Sequence, residues 1–98
     1  MHIIIAKDKQ DLGKKAAETV GMLLKKSPKA NICLPTGNTP LPLYKELRNT
    51  FTNAEFTYIA LDEYLGLDKH DPHCFSNWLA REILDPLDIP AKKRLLID

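Results

Sequence analysis

Along the chain, short unbroken apolar runs alternate with longer stretches in which apolar residues return every three or four positions. His2 to Ile5 is the first run, β-branched, and reads as a buried strand. Asp8 is a plausible N-cap. After it Leu12, Ala16, Val20, Leu23 and Leu24 fall on one helical face, with Lys14, Lys15, Glu18 and Lys25 elsewhere. Gly13 and Gly21 each weaken such a helix by about 1 kcal/mol relative to alanine. Ser27-Pro28 stops it, because a residue before proline avoids the helical region. Ala30 to Leu34 is a second strand, and Pro35 to Pro40 a loop. Thr39 suits an N-cap and Pro40 the first helical position, with Pro42 tolerated in the first turn and the helix reaching about Arg48.

Phe56 to Leu61 is a third strand, without clean polar alternation, as suits burial on both faces of a parallel sheet. Leu65 to His73 is a loop, rich in charge and interrupted by Gly66 and Pro72. Phe75, Leu79 and Ile83 repeat at helical spacing beside Trp78, in a helix ending near Asp85-Pro86. Arg94 to Ile97 reads as a fourth strand. Strand and helix alternate throughout, which predicts an α/β fold with an open, mostly parallel sheet and flanking helices. Residues 1–98 form one domain at most, without internal repeats.

Composition narrows the possibilities. Lys plus Arg is 14 and Asp plus Glu 13, a formal charge of +1. That excludes a strongly basic nucleic-acid binder. With 44% apolar and 28% charged residues the chain is ordinary globular material. No run approaches the roughly 20 apolar residues of a membrane span. The amino terminus is too short and too soon charged for a signal peptide, so the expected compartment is the cytoplasm. Cys33 and Cys74, too few for a disulfide framework, read as free thiols, one buried and one in a loop.

Two segments carry candidate chemistry. In the strand–loop–helix from Ile32 to Leu47, Gly37 permits a tight turn and close approach of a ligand. Gly37, Asn38 and Thr39 offer backbone N–H groups; Thr36, Asn38 and Thr39 offer side-chain donors. The next helix points its free N–H groups the same way, an arrangement suited to a phosphate monoester. The spacing is neither that of a nucleotide P-loop nor that of a dinucleotide fingerprint, and an ordinary capped helix fits it as well. Asp62-Glu63 closes the third strand. Ligands of open α/β sheets bind beyond the carboxyl ends of strands, which puts Asp62 on the same rim. There it suits a base removing a proton beside a carbonyl; a solvated acidic pair is the simpler alternative. His70, His73 and Cys74 have metal-ligand chemistry but match no closed zinc spacing, and a mobile loop over a crevice suits them better. Tyr44, Phe75 and Trp78 read as core, and Lys92-Lys93-Arg94 as a solvated turn.

Leu34-Pro35-Thr36-Gly37-Asn38-Thr39-Pro40, followed by Leu43-Tyr44-Lys45-Glu46-Leu47, resembles the phosphate loop and helix of glucosamine-6-phosphate deaminases. Leu61-Asp62-Glu63-Tyr64-Leu65-Gly66-Leu67 resembles their catalytic segment. The resemblance covers essentially the whole chain but only the amino-terminal part of the family's. It implies a modified Rossmann-like domain, of which this is an incomplete half, and an aldose–ketose isomerisation releasing ammonia. Asp62 matches the residue shuttling a proton between C2 and C1, and Thr36, Gly37, Asn38 and Thr39 the phosphate contacts. The implied partner is a sugar phosphate, with no metal or organic cofactor, no nucleic acid and no membrane.

The segment Ser76 to Leu84 is closer to 6-phosphogluconolactonases, although these usually carry Asp-Glu-Arg where this chain has Asp62-Glu63-Tyr64. Cys74-Phe75 is similar to galactosamine-6-phosphate deaminase/isomerases of the same superfamily. The family's later Gly-x-Gly-x-Asp-Gly-His segment, its downstream glutamate and its phosphate lysine do not occur here. The expectation is therefore a fragment, inactive or merely phosphosugar-binding on its own, whose uncovered strand edge favours association into a homo-oligomer.

Overall fold

The computed structural model describes residues 1–51 and 54–97. In chain order the elements are α1 (Lys9–Lys26), β1 (Asn31–Cys33), α2 (Leu41–Thr50), β2 (Thr57–Ile59), α3 (Phe75–Leu79) and β3 (Arg94–Leu95). A π-helical turn, Ala80–Leu84, prolongs α3, and a 3-10 turn, Ala91–Lys93, leads into β3. The strands form one parallel sheet in the order β1-β2-β3, with Cys33 opposite Ile59 and Ile59 opposite Leu95. The expected α/β architecture is thus present, with shorter strands than the apolar runs suggested.

Local chemistry sets the helix ends. Asp8 is extended and its carboxylate accepts the Asp11 N–H at 2.8 Å, capping α1, and Ser27 closes it by donating to Leu23 O at 2.9 Å. α2 begins one residue later than expected: Pro40 is the N-cap, Thr39 is exposed, and no side chain caps the end. The Pro40 ring already fixes the φ this position needs.

The buried stripe of α1 differs from the periodic reading. Gly13 and Ala17 are buried and Val20 and Leu24 half-buried, whereas Leu12 and Leu23 are 52% and 61% exposed. Close approach of α2 is the cause. A Cβ on Gly13 would stand 2.6 Å from Pro42 Cβ, so the helices touch where α1 carries no side chain.

One core joins α1, α2 and the α3 turn to a single face of the sheet. Tyr44, Leu47, Leu79, Ile83 and Leu84 close over Ile32, Leu34, Phe56 and Tyr58. The opposite face, carrying Cys33, Ile59 and Leu95, has no covering layer among the described residues. Cys33 is exposed and Leu95 is 53% exposed. Burial of the third strand on both faces is therefore corrected: Phe56 and Tyr58 are buried, but Leu61 is open to solvent.

The first expected strand is absent. His2 to Ile5 forms no ladder, and Ile3 and Ile5 are largely exposed. The segment is tethered to α1, where Lys15 Nζ donates to Ile5 O at 2.8 Å, rather than to a strand edge. An apolar run records a tendency toward burial but not a partner. The Lys92-Lys93-Arg94 turn is also less solvated than expected. Lys93 Nζ donates to Glu55 O at 2.8 Å, while Arg94 donates to Ile89 O at 2.8 Å and pairs with Asp85 at 2.7 Å. Both thiols are free: strand residue Cys33 is exposed, and loop residue Cys74 is buried, donating to Asp68 O.

Candidate active site

β1 and β2 run parallel, so the loops after them leave the sheet at the same end. Their register sets Thr36 and Asp62 each three residues beyond the paired Cys33 and Ile59. Neighbouring strands are about 4.8 Å apart, so the two loops start as close neighbours.

The first loop is shaped by its own residues. Gly37 has φ +97°, a conformation L-residues avoid, and nothing lies within 4 Å of where its Cβ would stand. Leu41 N–H donates to Asn38 O at 3.3 Å as the chain enters α2. The buried Tyr44 reaches back from α2 and donates its hydroxyl to Pro35 O, fixing the loop's first residue. Burial pushes the Tyr44 phenol above its ordinary pKa, so it stays a donor. Thr36 is half-buried; Gly37, Asn38 and Thr39 are exposed. Asn38 and Thr39 line a cavity of about 450 Å³ with Lys9 and Pro42.

The second loop separates the two carboxylates. Asp62 is exposed. Glu63 turns inward: Oε1 accepts the N–H of Phe75 at 2.7 Å and of Tyr64 at 3.0 Å, and Oε2 that of Ser76 at 3.0 Å. Burial alone would raise the Glu63 pKa, but the Ser76, Phe75 and Tyr64 amides outweigh it and hold the carboxyl below its ordinary value. In β2, burial first, then nearby Cys33, Glu63 and Asp62, push the Tyr58 phenol up to about 12.

A second cavity, of about 710 Å³, lies beside Glu63 and is lined by Tyr64, Lys69, His70 and Arg94 among others. Neither this cavity nor that at Asn38 is lined by Asp62. The Leu65 to His73 loop is laced to α3: Asn77 Nδ2 donates to Lys69 O at 3.0 Å and Asp71 O at 2.7 Å. His73 Nδ1 lies 2.9 Å from Asp71 Oδ1, and among the described residues no three metal-binding side chains converge.

Sequence reasoning missed Glu63 as an anchor and Tyr44 as a loop tie. The Tyr44 tie had a signal, a polar tip on an apolar helical face; the Glu63 tie, twelve residues long, had none.

No protein-family profile matches the chain. It is 33% identical over 101 residues to a glucosamine-6-phosphate deaminase of Bacillus pumilus, covering 98% of this chain and 42% of that protein. Deaminases of the same name from Halalkalibacterium halodurans and Streptomyces coelicolor are each 35% identical, covering 98% and 91% of this chain and 41% and 36% of theirs. A solved monomeric glucosamine-6-phosphate deaminase of the NagB superfamily superposes with a TM-score of 0.86 at 24% identity, over 97% of this chain and 42% of that one. The fold is therefore shared with that solved deaminase, and the resemblance extends over nearly the whole chain. The chain spans about two fifths of the length of the curated relatives it matches.

Proposed function

We propose that this chain is part of a glucosamine-6-phosphate deaminase, supplying the phosphate loop and the proton-transfer residue. The observation that carries this reading is the parallel register of β1 and β2, which sends the Thr36–Thr39 loop and Asp62 from one end of the sheet. The named relatives support the choice of substrate over other sugar phosphates.

The chemistry follows from what each loop offers. Backbone N–H groups at Gly37, Asn38 and Thr39 and the hydroxyls of Thr36 and Thr39 hold the 6-phosphate. Binding energy gained there fixes the open-chain sugar and sets C2 against Asp62. The C1 aldehyde acidifies the C2 proton. Asp62 takes that proton, leaving an enediol-type amine, and returns it to C1. The resulting C2 imine adds water and releases ammonia, giving fructose 6-phosphate. The C1 carbonyl is the electron sink, so the reading calls for no organic cofactor. The remaining residues of a full-length deaminase would cover the exposed Asp62 and open the sugar ring. A phosphorylated metabolite as substrate suits a cytoplasmic protein.

The test is a chimera in which this chain replaces the matched stretch of the Bacillus pumilus relative. Release of ammonia with fructose 6-phosphate from glucosamine 6-phosphate is expected. A folded chimera inert toward that substrate contradicts the reading.

A further inference from the structure

We propose that Glu63 is the positioning residue for Asp62, clamping the segment after β2 to the start of α3; the inference rests on the reading of Asp62 as the proton shuttle. Ala60 makes the last ladder-like bond of this segment, donating to Leu95 O at 2.8 Å. Among the described residues, no backbone hydrogen bond holds Leu61, Asp62 or Glu63. The tie is instead the Glu63 side chain, which spans twelve and thirteen residues to the Phe75 and Ser76 amides.

The α3 end needs this carboxylate. Cys74 is its N-cap and makes no side-chain cap bond, so two free N–H groups depend on an acceptor brought from elsewhere. Tyr64 seals the join by packing its ring on Phe75, with centroids 4.4 Å apart. α3 is in turn fixed by buried Leu79 and by Ile83 and Leu84 of its π turn. Asp62 is thus joined, through one neighbouring residue, to the rigid core instead of floating at a strand end. The phosphate loop has its own anchor, the Tyr44 hydroxyl on Pro35 O, on a different helix. Catalytic geometry and phosphate binding are therefore held by separate devices.

A carboxylate satisfies both α3 amides because both of its oxygens accept. Glutamine presents an N–H₂ to one of them, and aspartate, one methylene shorter, does not span the gap. In the chimera, Glu63→Gln and Glu63→Asp are each expected to lower kcat about 10- to 100-fold, the loss expected of an ångström-scale misplacement. KM for glucosamine 6-phosphate should stay within about twofold, because the phosphate anchor is untouched.

Wild-type kcat in either folded variant overturns the inference while leaving the deaminase reading intact. A rise in KM equal to the fall in kcat also overturns it, as does failure of both variants to fold, since each assigns Glu63 to general stability. An inactive parent chimera overturns the deaminase reading and this inference with it.

Discussion

Gly13 shows how one missing side chain sets a helix contact. By propensity, alanine there should strengthen α1 by about 1 kcal/mol. Its Cβ would meet Pro42 backbone and side-chain atoms at 2.6 Å, and backbone cannot swing aside. Overpacking of that kind costs about 1–3 kcal/mol, so Gly13→Ala should destabilise on balance. A lowered thermal midpoint checks this; a raised one means α2 shifts freely. Tyr44 gives a second test. Tyr44→Phe keeps the ring in the core but strips the Pro35 carbonyl of its donor, at about 1 kcal/mol. In an active chimera it should raise KM for the sugar phosphate more than it lowers kcat, the opposite split from Glu63. Equal effects on both would mean that the tie does not shape the phosphate loop.

The join between β2 and α3 should be acid-labile. Glu63 has a folded pKa below its unfolded one, so it contributes stability above the ordinary glutamate range and loses it as pH falls through the folded value. Asp11 and Asp71, lowered chiefly by the backbone amides of Lys7 and His73, add to the same limb. The Asp71 carboxylate accepts the His73 N–H at 2.8 Å, the bond behind its lowered value. Stability should therefore fall below about pH 4, and Glu63→Gln should flatten part of that fall. Thermal midpoints measured from pH 7 down to pH 3 check this, and an unchanged acid limb in the variant contradicts it. How much of each element the sequence disclosed depended on how local its cause was. The Asp8 cap, the Ser27-Pro28 stop and the Leu79–Ile83 repeat were legible because each is decided within one turn of chain. The strands at Asn31 and Thr57 were legible as apolar runs. His2 to Ile5 has the same pattern and forms none, because an apolar run records a tendency toward burial but does not choose its partner. The loop at Gly37 could be read from residue types, and its positive φ agrees. The Glu63 clamp could not, since nothing within twelve residues of chain marks its partners.

At the scale of the whole molecule, the parallel sheet is covered on one face only among the described residues, whereas parallel sheets are ordinarily covered on both. Cys33, Ile59, Leu61 and Leu95 share or border the open face, and the relatives are more than twice as long as this chain. Purified alone, the 98-residue chain is expected to bind an apolar dye and to associate as its concentration rises. Sedimentation at two concentrations checks this, and a monomer silent to the dye contradicts it. The chimera should lose both properties where the relative's further residues cover that face of the sheet. The most direct measurement of the central claim, that the Thr36–Thr39 loop and Asp62 serve one substrate, is Asp62→Asn in that chimera, with turnover and binding of glucosamine 6-phosphate measured on the same preparation. The account predicts that turnover disappears while binding stays close to that of the parent; wild-type turnover, or loss of binding in step with turnover, would contradict it.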